Sequence, residues 1–289
     1  MNPTFYRRTY HMADGLTLEL GHRTLIMGIL NATPDSFSDG GCYHAVEAAV
    51  ERAEQMASEG ADIIDIGGES TRPGYAPVSL DEELSRVIPV IRAVRERVKL
   101  PISIDTYKAE VARQALEAGA HIVNDVWGFK RDPEMAGVAV KYGCPVILTH
   151  NRPERDYADF FPEVLKDLRA SVELARAAGV GEELIWVDPG IGFAKDYEEN
   201  LEMLGRLGEV AQLGYPVLLA ASRKRVIQHT LGVAAADADD GTGATTALGI
   251  AQGCQIVRVH EVPLTKQIAA MSDAIVYRSH GKGSRMRNG

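Results

Sequence analysis

The sequence predicts one α/β domain over residues 1–289, a (β/α)8 TIM barrel with an N-terminal β-hairpin. Eight short runs rich in Val, Ile and Leu recur along the chain, separated by longer stretches with helical spacing of their apolar residues. Runs that are apolar on both faces form parallel strands covered by helices, and eight such units close a barrel. A doubly wound open sheet is the structural alternative.

The elements follow one another in a regular order. Residues 5–23 predict a hairpin, because Ala13-Asp14-Gly15 is a turn signal between two short segments. The barrel then takes about residues 24–279, and residues 280–289 form a small polar tail without regular structure. Helical patterns such as residues 44–60, 81–98, 108–119 and 168–179 fill the intervals, and several end in a glycine suited to a C-cap. The strand runs are TLIMGIL (24–30), ADIIDIG (61–67), PISIDT (101–106), HIVNDV (121–126), PVILTH (145–150), LIWVDP (184–189), PVLLAAS (216–222) and QIVRVH (255–260).

Composition narrows the class of protein. A formal net charge of -9 argues against nucleic-acid or anionic-membrane partners, which usually require a basic face. Cys42, Cys144 and Cys254 are widely separated and form no CxxC pair, which indicates a reducing compartment. Neither a signal-like apolar segment nor a membrane-spanning stretch occurs. We therefore expect a cytoplasmic protein.

Polar side chains stand at the C-terminal ends of the strand runs, where the loops of such a barrel build the active site. Taken singly, each is also an ordinary helix cap or turn residue. Their convergence on one rim favours a binding site if the barrel forms. The residues in strand order are Asn31, Gly67-Gly68-Glu69, Asp105, Asn124-Asp125, His150, Asp188, Ser222 and Arg258 with His260. Asp62 and Asp65, within the second run, are interpreted instead as turn or barrel-interior groups.

Two long glycine-rich loops follow early strands, NATPDSFSDGGCYH (31–44) and GGESTRPGYAPVS (67–79). Loops of this length in a compact barrel usually act as lids or binding loops. The motifs ILNATPDSFSDGG, DIGGESTRPG, SIDT, IVNDV, VDPGIGF, ASRKR and VRVH, in this order, resemble the motif series of the dihydropteroate synthases over about residues 24–275. The resemblance implies condensation of p-aminobenzoate with a dihydropterin pyrophosphate, with release of pyrophosphate.

The resemblance also implies residue roles. Asp188 would pair with the 2-amino side of the pterin, and Asn124 and Asp105 would line the remainder, while Lys224 would reach the ring and the incoming amine. Asp105 would also stabilise the developing cation. Without the surrounding motifs, the SRKR segment that carries Lys224 would be interpreted as a solvated basic loop.

The diphosphate requires local positive charge in an acidic chain. Arg258 and His260 alternate with valines, so their side chains point to the same side of the last strand. They form a phosphate clamp if that side is the barrel mouth, and the interpretation fails if it is the outer face. By resemblance, Asn31 is the metal-linked position and Thr71, with Arg72 beside it, contacts the pyrophosphate. Asp35 and Asp39 in the first loop carry oxygen ligands suited to Mg2+ and are candidate catalytic residues.

We assign Phe37, Pro73, Phe193 and Ser222 to the p-aminobenzoate site, with the ring groups facing the substrate ring and the serine facing its carboxylate. The segment THNRPERDY departs from the methionine-rich version of many relatives, so contacts from His150, Asn151 and Arg152 stay open, and a structural His150 is equally compatible. GTGATT (241–246) could begin a phosphate-binding helix, but the family pattern favours an ordinary helix. The expected partners are small-molecule substrates and, by resemblance, a second copy of the chain.

Two other functions compete with this interpretation. A pterin-binding methyltransferase domain, serving a corrinoid partner on a similar barrel, would need no diphosphate clamp and leaves both long loops unexplained. A barrel that binds a folate precursor without catalysis is the third possibility.

Overall fold

The computed structural model describes residues 5–32, 41–69, 77–280 and 287–288. The hairpin strands are β1 (Tyr6–His11) and β2 (Thr17–Leu20). The barrel strands are β3 (Leu25–Asn31), β4 (Ile63–Gly67), β5 (Ile102–Asp105), β6 (Ile122–Asp125), β7 (Val146–Thr149), β8 (Ile185–Asp188), β9 (Val217–Leu219) and β10 (Cys254–Val259). Strand β10 pairs in parallel with both β9 and β3, so the sheet closes. The predicted barrel is confirmed, and the open doubly wound sheet is wrong.

Helices lie between the strands, as the spacing of apolar residues predicts. They are α1 (Gly41–Glu59), α2 (Leu80–Arg97), α3 (Ala109–Ala118), α4 (Met135–Tyr142), α5 (Phe160–Ala178), α6 (Tyr197–Gly205), α7 (Leu207–Val210), α8 (Arg225–Leu231), α9 (Asp239–Ala251) and α10 (Val262–His280), with short 3-10 turns at Glu182–Leu184, Ala211–Leu213 and Ala235–Asp237. Gly119 and Gly179 end α3 and α5 in the left-handed region, with φ of 113° and 105°. Residues 241–246 lie inside α9, which agrees with the ordinary-helix interpretation. No helix in the described part of the chain combines the length and apolarity needed to cross a bilayer.

Alternation along the strands sorts their side chains into two layers. One set faces outward and packs with the helices, as Ile64 and Ile66 of β4 do in the cluster that includes Val87 of α2. The other set faces the barrel axis and forms an apolar floor of Leu25, Met27, Ile63, Ile122, Ile147, Trp186, Leu218 and Ile256. Because side chains of a strand alternate between faces, the residue two positions after each floor residue also points into the barrel, nearer its C-terminal mouth.

The hairpin closes the N-terminal end of the barrel beneath this floor. Tyr6 and Tyr10 of β1 belong to the same buried cluster as the floor residues. The Trp186 indole Nε1–H donates to the Tyr10 hydroxyl at 2.7 Å, and the Gln255 amide bonds both the N–H and the C=O of Tyr6 at 2.8 Å. The predicted hairpin is therefore confirmed, with its turn at Asp14 and Gly15. Because one end of the barrel is plugged, the opposite end is the open mouth.

The end of the chain differs from expectation in one detail. Helix α10 continues through His280, and Arg287–Asn288 forms a two-residue strand β11 parallel to β1, with Tyr6 opposite Arg287. The tail was expected to lack regular structure because its residues are small and polar. Its pairing uses the exposed edge of β1, which a sequence pattern does not reveal.

Candidate active site

Polar residues fill the mouth because they share the parity of the apolar floor. Asp65, Asn124, Asp188 and Arg258 each follow a floor residue by two positions, at Ile63, Ile122, Trp186 and Ile256. The strand register also sets Asn31 opposite Gly67, Gly67 opposite Asp105, and Asp105 opposite Asn124. The predicted rim is thus one surface inside the barrel for Asn31, Asp105, Asn124, Asp188 and Arg258. Asp125 is not part of this surface, because it alternates with Asn124 and accepts the backbone N–H groups of Trp127 and Phe129. Asn31 is solvent-exposed at the end of β3.

Arg258 lies between two carboxylates in the centre of this surface. Its Nε donates to Asp65 at 2.6 Å and its NH2 group donates to Asp105 at 2.7 Å. The side chains of Asp65, Asp105 and Arg258 are 0%, 12% and 16% exposed, so the cluster is largely shielded from solvent. Burial raises the pKa of Asp105 to about 7, although the charge of Arg258 opposes the rise. Arg258 therefore points into the barrel, which is the condition set for a phosphate clamp.

Asp188 and Lys224 both bond the loop between β8 and α6, residues 189–196, and their opposite charges attract each other. The Asp188 carboxylate accepts the Gly190 N–H at 2.7 Å, and burial raises its pKa. Lys224 Nζ donates to the Ile191 carbonyl and lies 4.6 Å from the centroid of the Phe193 ring. Burial lowers the pKa of Lys224 to about 8, with Asp188 opposing that change. A carboxylate, an ammonium and an aromatic face thus meet at one side of the mouth.

Ser222 and His260 form a second fixed pair, just beyond the C-terminal ends of the neighbouring strands β9 and β10. Their Oγ and Nδ1 atoms lie 2.9 Å apart, and the His260 backbone N–H donates to the same serine oxygen at 3.2 Å. The His260 carbonyl is bonded in turn by Arg52 of α1 at 3.0 Å. Sequence reasoning assigned these two residues to different substrates, and the structure brings them into direct contact. The two predicted subsites therefore adjoin each other.

The site geometry agrees with the matches to known proteins. Residues 27–260 match the family described as pterin binding enzyme. A Bacillus subtilis dihydropteroate synthase is 54% identical over 259 residues, which cover 90% of this chain and 91% of that protein. The family assignment follows. This chain belongs to the dihydropteroate synthases.

Two solved structures of this family share the fold closely. The Clostridium difficile dihydropteroate synthase, solved with pteroic acid, has a TM-score of 0.87 at 50% identity and covers 89% of this chain and 98% of its own. The Xanthomonas albilineans dihydropteroate synthase, solved with 4-aminobenzoic acid, also has a TM-score of 0.87, at 40% identity, with 94% and 98% covered. Neither competing interpretation, the methyltransferase nor the non-catalytic barrel, finds support in these matches.

Six predicted site residues of the synthase family pattern lie outside the described residues, in the two long loops. They are Asp35, Phe37, Asp39, Thr71, Arg72 and Pro73. Their roles, and that of Asn31 as a metal position, stay predictions. Within the described ranges, no group of three or more His, Cys, Asp or Glu side chains could hold a metal ion.

The segment THNRPERDY, which departs from the family pattern and whose contacts were not predicted, has a structural role. His150 is fully buried, with Nε2 3.2 Å from Asp167 and Nδ1 2.8 Å from Lys195 Nζ. Burial lowers the pKa of His150 to about 3, so the ring is neutral at physiological pH. Arg152 also binds Asp167, at 2.5 Å. This histidine thus supports the site from behind and does not line the mouth.

The SRKR segment is not a solvated basic loop. The Arg223 guanidinium pairs with Asp239 through two hydrogen bonds of 2.7 Å, and its backbone adopts a φ of 55°. The turn this creates directs Ser222 and Lys224 to the mouth from adjacent positions. Two supporting residues were missed by sequence reasoning. Asp65 was interpreted as a turn or barrel-interior group and not as a partner of Arg258. It shares a strand face with Gly67, and this alternation could have indicated that it points toward the site. No sequence pattern indicated a role for Lys195.

Proposed function

We propose that this chain condenses p-aminobenzoate with 6-hydroxymethyl-7,8-dihydropterin pyrophosphate and releases pyrophosphate. The observation that supports the proposal most strongly is the combination of a buried arginine and an opposed Asp188–Lys224 pair inside one barrel mouth. A pterin with a diphosphate tail needs both features. Two related synthases, solved with pteroic acid and with 4-aminobenzoic acid, support the same substrates.

The pterin presents donors at its 2-amino group and ring N–H beside an oxo acceptor. Asp188 is acceptor-only when ionised, and Asn124 supplies both a donor and an acceptor. Both are buried, at 3% and 5% exposure, so a ligand that lacked the matching edge would leave part of their hydrogen-bonding capacity unused. Lys224 supplies donors on the same side. These three residues and Asp105 therefore form the proposed pterin site.

Arg258 is the proposed anchor for the diphosphate, with His260 nearby. Of the five N–H donors of an arginine, Asp65 and Asp105 use two, which leaves three for phosphate oxygens. The two carboxylates hold the guanidinium in place before substrate arrives, so little ordering is required on binding. We place Thr71 and Arg72 of the second loop on the same diphosphate.

The reaction needs no protein nucleophile. The amine nitrogen of p-aminobenzoate bonds to the exocyclic methylene carbon, the C–O bond breaks, pyrophosphate leaves with the bonding electrons, and the nitrogen loses a proton to solvent. Positive charge develops on the pterin methylene as the leaving group departs. Asp105 and Asp188, as carboxylates, would stabilise that charge, while Arg258 stabilises the departing pyrophosphate. Asp105 is half ionised near pH 7, which ties this role to pH.

The second substrate would lie between Phe193 and Ser222. Lys224 next to the Phe193 ring marks where the pterin and aminobenzoate sites meet. Ser222, held by His260, has its hydroxyl fixed toward the mouth and could take the carboxylate. Phe37 and Pro73 complete this site in our proposal.

We propose Mg2+ as the cofactor. The exposed carboxamide of Asn31 at the rim is an oxygen ligand of the kind this ion prefers, and Asp35 and Asp39 of the adjoining loop would complete the protein ligands. A bound Mg2+ supplies charge neutralisation on the diphosphate oxygens. Arg258 would neutralise charge on the same diphosphate from its position on the last strand.

One assay tests the proposed function. Purified protein with dihydropterin pyrophosphate and Mg2+ is expected to release pyrophosphate in proportion to added p-aminobenzoate. Release that does not depend on the amine, or pterin binding without release, contradicts the proposal. Omitting Mg2+ and adding a chelator tests the metal in the same format, because turnover should then fall while free pterin still binds.

We also propose a homodimer in the cytoplasm. Leu248 of α9 and Met271 of α10 are 63% and 64% exposed on two helices that pack together, and such apolar side chains favour a protein contact. Light scattering should give twice the chain mass, and Leu248→Glu with Met271→Glu should give a monomer. The unpaired, buried thiols of Cys144 and Cys254 agree with a reducing compartment.

A further inference from the structure

The loop between β8 and α6, residues 189–196, contains three residues with a left-handed backbone conformation. Gly190, Gly192 and Ala194 adopt positive φ values of 71°, 84° and 46°. Alanine in the left-handed region is strained, so the surrounding contacts must hold it there. Yet this loop presents the Phe193 ring to the mouth and offers the Ile191 carbonyl to Lys224. Something outside the mouth must therefore maintain its shape.

Lys195 provides that support. Its Nζ donates to the carbonyls of Gly190 and Phe193, both at 3.0 Å, and to His150 Nδ1 at 2.8 Å. In its protonated form the Lys195 amine has three N–H donors, and these contacts use all of them. Burial lowers the pKa of Lys195 to about 7, with the charge of Asp188 opposing that change. Two of the three acceptors are backbone carbonyls of the loop itself. Its side chain therefore ties both ends of the segment 190–193 to a single point.

The network behind Lys195 fixes that point in the barrel. Because His150 Nδ1 accepts from the lysine, the ring proton lies on Nε2 and donates to Asp167 at 3.2 Å. Asp167 is held in turn by Arg152 Nε at 2.5 Å. His150 directly follows β7, and its backbone N–H bonds the Asp188 carbonyl at 2.9 Å. The support thus connects the loop to the ends of two barrel strands.

We propose that Lys195, braced by His150 and Asp167, is a positioning residue for the p-aminobenzoate site, which it shapes by holding the loop that carries Phe193. This inference rests on the proposed function. It goes beyond it by assigning a role to a lysine that touches neither substrate. The proposed pterin contacts Asp188 and Asn124 lie on strands, whose backbone pairing holds them whatever the loop does. The loop reaches the pterin site only through the Gly190 N–H on Asp188 and the Ile191 carbonyl on Lys224, so we expect the lysine to act mainly on the second substrate.

Steady-state kinetics of Lys195→Met test the proposal. Loss of a hydrogen bond to a charged group corresponds to about a tenfold effect, so the KM for p-aminobenzoate should rise about tenfold. The KM for dihydropterin pyrophosphate should rise clearly less, because Asp105, Asn124, Asp188 and Arg258 bind it from strands and only Lys224 of its proposed contacts donates to a carbonyl of the loop. The control is Lys130→Met, an exposed lysine whose Nζ donates to the Asn151 carbonyl at 2.7 Å and not to a carbonyl of the loop. This control should change neither KM.

A second measurement does not depend on turnover. Hydrogen exchange of the amides in residues 189–196 should become about tenfold faster in Lys195→Met. The variant lacks the bond from Lys195 to His150, which must break when the loop of the wild-type protein opens away from the barrel. The Lys130→Met control should leave these amides unchanged. If wild-type protein shows no amine-dependent release, the proposed function fails, and the exchange result still decides whether Lys195 holds the loop.

A milder variant covers the case in which Lys195→Met does not fold. Tyr157 donates its hydroxyl to the Ala194 carbonyl at 2.9 Å, so Tyr157→Phe loosens the same loop without leaving a buried gap. It should raise the KM for p-aminobenzoate in the same direction by a smaller factor. Equal losses for both substrates in these variants, or faster exchange with an unchanged KM for p-aminobenzoate, would overturn the positioning role.

Discussion

Replacing Arg258 by methionine tests the role of the positive charge at the centre of the mouth, because the substitution removes that charge. Methionine keeps most of the apolar length of the side chain but removes the guanidinium that binds Asp65 and Asp105 at 2.6 and 2.7 Å. Two buried carboxylates are then left without their cation. We expect the variant to lose affinity for the diphosphate substrate far more than for free pterin, because only the former places anionic oxygens at this position.

The size of the effect follows from the contacts. A hydrogen bond between charged partners contributes about 1.5–3 kcal/mol, so losing the arginine contact to the diphosphate should cost about 3 kcal/mol, or about 100-fold in the KM. The pH dependence should change as well. Arg258 lowers the pKa of Asp105, so its removal moves that pKa above about 7. Asp105 is then mostly protonated at pH 7, and the rise of kcat/KM with pH should shift to higher pH.

Calorimetric titration with dihydropterin pyrophosphate and with free pterin measures the two affinities directly. Arg23→Met is a matched control, because Arg23 pairs with Asp62 at the far end of the same strand that carries Asp65. It should leave both affinities unchanged. Urea denaturation shows whether each variant is folded, since breaking a buried ion pair costs about 3–5 kcal/mol. Equal loss of affinity for both ligands in Arg258→Met would refute the clamp.

Three further predictions concern stability. Gly190→Ala should lower the free energy of unfolding by more than about 2 kcal/mol, because the alanine would keep a positive φ and its Cβ would lie 1.9 Å from the His150 carbonyl oxygen. Gly205→Ala is the control and should not lower the free energy of unfolding, because the added Cβ has open space around it. Trp186→Phe removes the bond to the Tyr10 hydroxyl and part of the barrel floor, and should cost about 2–3 kcal/mol in urea denaturation. The free energy of unfolding should also decrease as the pH is lowered from 7 to 5. Burial lowers the pKa of His150 from 6.5 to about 3, so below pH 6.5 the unfolded chain binds a proton that the folded chain does not. The loss should reach about 2 kcal/mol at pH 5, and a steady unfolding free energy between pH 7 and 5 would contradict it.

The candidate site was predictable wherever strand alternation carried the information. Arg258 and His260 share a parity with Ile256, so the last strand alone indicated that they point to the same side. The same rule placed Asp105, Asn124 and Asp188 at strand ends near one rim. The alternation rule does not say whether these side chains point into the barrel or out of it, because the two faces become different only when β10 pairs with β3 and the sheet closes.

The supporting residues were not predictable, because their contacts join distant positions. Asp65 and Arg258 are 193 positions apart in the chain, and His150 and Lys195 are 45 apart. A lone lysine after a glycine-rich turn reads as an ordinary surface residue. Its buried position becomes visible only once the loop folds back over it.

The sequence by itself determined the class of fold, the family and the identity of the polar residues at the strand ends. Those properties depend on local periodicity and on short motifs, which are written in consecutive residues. The tertiary structure alone decided that Arg258 faces the barrel axis between two carboxylates, that Ser222 and His260 touch, and that His150 supports a loop. The physical reason is that charge pairing and burial arise between side chains that closure of the barrel brings together, and a local pattern that predicts the closure does not show which side chains then meet.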